Sequence, residues 1–201
     1  MHPANSVILF TTLSGLGFGM MVWLGLGLGP SGDTAGPITA FIALCFAGIG
    51  LVSSTFHLGN PQRALKAFSQ WRSSWLSREG CVSVVLMTLF FVFTVLWWLG
   101  DRNMLLGIVC AALAILAIVC TAMIYGQLKT VPRWSNTWTV PMFLGFAGAG
   151  GALATSAAAA TAGEAIDVGI GMALLAFSAL IYIYRRSTQT ATLAAAGHSP
   201  E

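Results

Sequence analysis

Six apolar runs, each near the length that crosses a bilayer, leave this chain few folds to choose from. They extend from Ser6 to Leu28, Pro37 to Leu58, Cys81 to Leu99, Met104 to Gly126, Thr139 to Ala162 and Ile166 to Tyr184. A lipid core about 30 Å thick takes about 20 residues of helix, and every backbone polar group inside it has to be satisfied within the structure. The expected fold class is therefore all-α, a polytopic transmembrane bundle of six spans over residues 1–186. The polar, small-residue tail 187–201 is expected to be disordered. Only 7% of the residues are charged, against roughly 25% in soluble domains. The first run follows Met1 to Asn5 with no basic leader and exceeds a signal-peptide core, so it reads as a retained helix.

Charge divides the loops into two unlike faces. The face holding the amino terminus receives Arg63, Lys66, Arg72, Arg78, Lys129, Arg133, Arg185 and Arg186. The opposite face receives Arg102 with Asp33, Asp101, Glu164 and Asp167. The positive-inside rule makes the basic face cytoplasmic. A net charge of +3 hides this asymmetry, which topology alone explains as well as docking does. No nucleic-acid partner is expected; the lipid bilayer is.

The longest loop, Gly59 to Gly80, lies on the basic face and carries Trp71 and Trp75 among its arginines. Apolar Ala64, Leu65, Phe68, Trp71 and Trp75 recur at three- and four-residue spacing, which predicts a short amphipathic interfacial helix between spans two and three, from Gln62 to Trp75. Pro61 suits its first turn and Asn60 its cap. Cations beside indoles suit a membrane interface and equally suit a partner subunit, so Arg63, Arg72, Trp75, Arg78, Lys129 and Arg133 are candidate docking residues.

His57 and Glu79 flank that loop, and ionisable groups near hydrocarbon usually have a task. Histidine can hydrogen-bond a quinone oxygen and exchange its proton, and Glu79 could relay protons to water. Tyr125 sits at the depth of His57 and could donate to the same ligand. Capping by His57, and pairing of Glu79 with Arg78 or Arg63, explain both residues without a ligand. With His57 as the one histidine at membrane depth, a haem between two histidines is not expected. Cys45, Cys81, Cys110 and Cys120 form no Cys-x-x-Cys pair and read as packing residues, so no iron–sulfur cluster or metal site is expected within the chain.

Small residues mark two spans: Gly15, Gly17, Gly19, Gly25, Gly27 and Gly29 in and at the end of the first, Gly145, Ala147, Gly148, Gly150 and Gly151 in the fifth. They predict close helix packing, with a groove for a flat or isoprenoid ligand as the alternative. Trp97, Trp98, Tyr182 and Tyr184 read as interface belts without chemistry. Three functions suit such a chain: a quinone-reactive subunit, a purely structural anchor, and a small transporter. The last is disfavoured because no acid or base falls in mid-span.

Three strings narrow the choice: His57-Leu58-Gly59-Asn60-Pro61-Gln62-Arg63-Ala64, Ser74-Trp75-Leu76-Ser77-Arg78-Glu79, and Met123-Ile124-Tyr125-Gly126-Gln127-Leu128-Lys129-Thr130-Val131-Pro132-Arg133-Trp134. They resemble the dimethyl sulfoxide reductase anchor-subunit family, which includes the membrane subunit of cytoplasmic sulfite dehydrogenases. The resemblance implies a bacterial inner-membrane subunit with two partners, a molybdopterin catalytic subunit and a four-cluster iron–sulfur subunit. It also implies exchange of electrons with membrane quinone, menaquinone or ubiquinone. The family's quinol-site histidine falls on His57 and its implicated glutamate on Glu79. Family members commonly have eight spans, where this chain has six.

Overall fold

In a computed structural model the described residues are 5–55, 68–130, 134–164 and 168–195, with side chains described to 186. Among the described residues six α-helices form an all-α bundle: α1 Asn5–Gly25, α2 Ala35–Thr55, α3 Trp75–Trp98, α4 Met104–Gly126, α5 Thr139–Thr161 and α6 Gly169–Ala195. Each contains a stretch long and apolar enough to cross a membrane, in α6 Gly169–Arg186. The chain is a multi-pass membrane protein.

Local chemistry sets the helix ends. Ser74 caps α3, accepting from the Ser77 amide at 3.4 Å, and Asn103 caps α4, accepting from the Leu106 amide at 3.0 Å. Pro37 and Pro141 lie in the first turns of α2 and α5, where their missing amides leave no helical bond unmade. At the other end of α3, Gly100 takes a positive φ of 92°. Its amide bonds to the Trp97 carbonyl at 3.0 Å and the Asp101 amide to the Leu96 carbonyl at 2.9 Å, a Schellman turn. Gly163 ends α5 by the same pair of bonds, from its own amide to Ala160 and from the Glu164 amide to Ala159.

α1 is wedged among three neighbours, α2, α4 and α5. A Cβ on Gly17 would press into the α2 backbone at Ala43 and Ala47, one on Gly19 would collide with the Ala147 carbonyl of α5, and one on Gly25 with the Gly107 carbonyl of α4. Gly151 returns the α5 contact, its Cβ direction filled by the Gly19 backbone. Bare backbone lets the helices approach in lipid, where burial of apolar surface gives no drive. Trp23 adds a polar tie, its Nε1 donating to the Gly148 carbonyl at 2.7 Å. α6 packs chiefly on α5 and turns Phe177, Leu180, Ile183 and Tyr184 outward.

Four expectations change. α3 begins at Trp75 rather than Cys81, because Ser74 supplies a cap ahead of the apolar run. The described end of the expected interfacial helix, Phe68–Gln70, is a single 3-10 turn leading to turns through Ser73; residues 62–67 lie outside the described residues. The backbone of α6 stays helical to Ala195, past the expected end at Tyr184, since no glycine or proline interrupts the sequence between Gly171 and Gly197. Trp97, expected in an interface belt, is 2% exposed: its ring packs 5.6 Å from Phe93 and fills the space left by Gly36.

Candidate functional site

A cleft enters the bundle from the basic face between α1, α4, α5 and α6. Its mouth, about 550 Å³, is lined by Val7, Ile8, Thr11, Tyr125, Trp134 and Arg185 among others. A deeper chamber of about 390 Å³ continues past Gly15, Phe18, Ile118, Thr121, Phe146 and Gly150. Thr11, Met142 and Phe143 wall both, which makes them one passage. Helical spacing explains the lining. Thr11, Gly15 and Phe18 share one face of α1; Ile118, Thr121 and Tyr125 share one of α4; Phe143, Phe146, Ala147 and Gly150 share one of α5.

Tyr125 forms an aromatic wall at the mouth, stacked on Phe143 at 5.5 Å and edge-on to Trp134 at 5.2 Å. Among the described residues its hydroxyl makes no hydrogen bond. Arg185 reaches the same mouth from α6, its Nη1 donating to Met142 Sδ at 2.8 Å. Below, the lining is apolar apart from Thr11, Thr12, Ser14 and Thr121. Volume and lining suit a flat ring with an apolar tail, since sites for small molecules run from about 300 to 1,000 Å³ and mix apolar walls with few polar groups.

Behind this wall lies the carboxyl of Glu79. Expected at the end of a loop, Glu79 instead occupies the first turns of α3 and is 3% exposed, because the helix starts at Trp75 and turns position 79 inward with Ser83 and Leu86. Thr121 Oγ1 donates to Glu79 Oε1 at 2.6 Å and also lies 3.0 Å from the Ala117 carbonyl. Among the described residues Glu79 has no other hydrogen bond and no ion pair. Pairing with Arg78 is excluded by where that guanidinium goes. Its Nε donates to the Trp71 carbonyl at 2.9 Å, its Nη2 to the Arg72 carbonyl at 2.6 Å, and its plane sits 4.3 Å from the Trp75 ring.

Of the candidate docking residues, Arg72 is exposed beside Trp71, 5.4 Å from that ring, and Lys129 is exposed in the turn after α4. Trp75 is half-buried under Arg78. His57, Arg63 and Arg133 lie outside the described residues. The sequence pointed to Tyr125 and Glu79 but not to Thr121, Thr11 or Phe143. The signal for Thr121 was its place four residues before Tyr125, a hydroxyl on the same helix face.

The opposite face carries a latch, beside a smaller hollow of about 250 Å³ lined by Gly27, Gly29, Thr155 and Ile170 among others. Glu164, placed by the Gly163 turn, accepts from the amides of Ser31 and Gly32 at 2.7 and 3.0 Å and from the Ser31 hydroxyl at 2.8 Å. The Ser31 amide, the Gly32 amide and the Ser31 hydroxyl hold its pKa below the ordinary carboxylate value. Arg102 lies 4.1 Å over the Trp97 ring, with Nη2 3.4 Å from the Leu24 carbonyl. Partial burial lowers the pKa of Arg102, and nearby Glu164 opposes that shift.

Residues 1–185 match the family described as DMSO reductase anchor subunit (DmsC). Among curated proteins, a sulfite dehydrogenase subunit from Allochromatium vinosum is 34% identical over 186 residues, covering 82% of this chain and 57% of that protein. The anaerobic dimethyl sulfoxide reductase protein YnfH of Escherichia coli is 31% identical over 51% of this chain and 37% of its own length. An anaerobic dimethyl sulfoxide reductase subunit from Haemophilus influenzae is 31% identical over 49% and 37%. The protein thus spans little more than half of the first relative and just over a third of the other two. No solved structure matches it.

Proposed function

The chain belongs to the DMSO reductase anchor subunit family, and from that premise we propose that it is the membrane-anchor, quinone-reactive subunit of a molybdopterin oxidoreductase. The complex is of the DMSO reductase or sulfite dehydrogenase type, seated in the bacterial inner membrane with the basic face cytoplasmic. A four-cluster iron–sulfur subunit docks on that face, bringing a molybdopterin catalytic subunit with it. Electrons pass between the quinone pool and the iron–sulfur partner.

One observation carries this reading: the cleft opens at the basic face, and a residue of its wall, Thr121, is bonded to a buried carboxyl, Glu79. A quinone needs an apolar slot for ring and tail, donors for its oxygens, and groups that exchange protons. Tyr125 is the donor at the mouth and Glu79 the proton-exchanging group, with His57 assigned by the family string. A site for lipid alone would have no use for the buried carboxyl.

Photolabelling tests the reading. In membranes holding the assembled complex, an azidobenzoquinone probe is expected to label cleft residues such as Met142 and Phe143, and His57→Ala is expected to cut quinone-coupled turnover while the catalytic partners stay membrane-bound. Unlabelled cleft walls together with normal turnover in His57→Ala would leave a purely structural anchor as the better account.

A further inference from the structure

Glu79 is absent from the walls of both chambers of the cleft, whereas Thr121 stands in the wall of the deeper one. Among the described residues, Thr121 is the one that is bonded to this carboxyl and also lines the cleft. Its hydroxyl has one proton and two lone pairs, and it has two acceptors within reach, Glu79 Oε1 at 2.6 Å and the Ala117 carbonyl at 3.0 Å. While it donates to Glu79 Oε1, the hydroxyl oxygen keeps a lone pair that can accept a proton as its own passes to the carboxylate.

We propose that Thr121 is the proton relay between Glu79 and a quinone held in the cleft, a step that rests on the function proposed above. In quinol oxidation the ligand's O–H bond breaks as its proton moves to Thr121 Oγ1. The original Thr121 O–H breaks in turn, and a new O–H forms at Glu79 Oε1. Thr121 ends unchanged and Glu79 ends protonated, while the accompanying electron leaves for the iron–sulfur partner. Quinone reduction runs the same transfers backwards.

The surroundings fit one proton passing at a time. Arg78, next in sequence to Glu79, is engaged with the Trp71 and Arg72 carbonyls, and no cation pairs with Glu79 among the described residues. The groups beside it from α4 are Thr121, Cys120 and Tyr125. Tyr125 lies one turn above Thr121 on the cleft face of α4, so a ring seated against Tyr125 lies within about one helical turn of Thr121. Glu79 itself is in the first turns of α3, near the basic face, which leaves the proton a short way to go.

Thr121→Val removes the hydroxyl at nearly constant volume, and Thr121→Ser keeps it. With decylubiquinol as donor and the assembled complex in membranes, Thr121→Val is expected to lower kcat on the order of a hundredfold. KM should move by no more than about twofold, and Thr121→Ser should keep kcat within about threefold of the parent. Azidobenzoquinone labelling of Phe143 should be equal in all three. Parental kcat in Thr121→Val with labelling intact would overturn the relay alone. A Thr121→Ser enzyme as slow as Thr121→Val would also overturn it, by showing that the methyl group and packing matter and not the hydroxyl. Absence of labelling in the parent would remove the quinone site, and the relay with it.

Discussion

Arg78 turns back on Trp71: its Nε donates to the Trp71 carbonyl at 2.9 Å, and this bond, with its companion to Arg72, fastens the entry turn onto the first turn of α3. A guanidinium engaged in this way is poorly placed to meet a partner. On this stretch Arg72 and Trp71 stay exposed, and the proposed docking would rest on them.

Separate substitutions are therefore expected to part the two roles. Arg78→Ala should lower the stability of the subunit by about 1.5 kcal/mol, the low end for a hydrogen bond made by a charged group. Arg72→Ala should leave thermal unfolding in detergent unchanged and reduce the amount of catalytic partner retained on washed membranes. Equal retention in Arg72→Ala and parent would count against docking here.

Tyr125 packs on two rings and, in the function proposed, donates to the quinone, two roles that substitution can distinguish. Tyr125→Phe keeps the rings on Phe143 and Trp134 and loses only the hydroxyl, so the expected change is a rise in quinol KM of about tenfold, the worth of one hydrogen bond. Tyr125→Ala also gives up the aromatic pairs, about 0.5–1.5 kcal/mol each. It should lower the unfolding temperature where Tyr125→Phe does not.

The glycines of α1 are not equivalent. A Cβ at Gly19 meets the α5 backbone, so Gly19→Val is expected to abolish accumulation of the subunit in membranes. At Gly15 a Cβ finds only the Ala147 Cβ, 4.0 Å away, beside the cleft. Gly15→Ala should accumulate normally yet weaken azidobenzoquinone labelling, because the added methyl occupies ligand space. Immunoblots of membranes alongside labelling yield decide the matter.

Glu164 gives the opposite face a pH response. Three donors favour its ionised form in the fold, so its folded pKa lies below its unfolded one. The stability it contributes is complete above the unfolded carboxylate pKa and is lost as pH falls through the folded value. Thermal unfolding of the parent should show this acid-side loss, and Glu164→Gln should flatten it; matching curves for both proteins would exclude the latch as its source.

The spans were legible because hydrocarbon thickness imposes one length on every helix that crosses it. The site was legible only as separate residues. Tyr125 and Glu79 stand out by type, but Thr121 looks like any helical threonine until α3 and α4 are set side by side. Glu79 was misplaced because an apolar count begins α3 at Cys81, whereas the cap at Ser74 begins it earlier and turns the carboxyl inward. The Trp97 error has the same root: a tryptophan near a span end suits an interface equally well, and only the bare backbone at Gly36 shows that the ring has somewhere to go.

α1 meets α2 along one side and α5 along another, and the ribosome makes these partners at different times. The hairpin of α1 and α2 can close as soon as both are in the bilayer, Gly17 seated against Ala43 and Ala47. The flank at Gly19 then faces lipid until α5 has been translated and inserted. The cleft, which needs the α1 and α5 walls together, accordingly cannot exist before α5 is inserted, and no cleft ligand can act as a template for the steps that precede it.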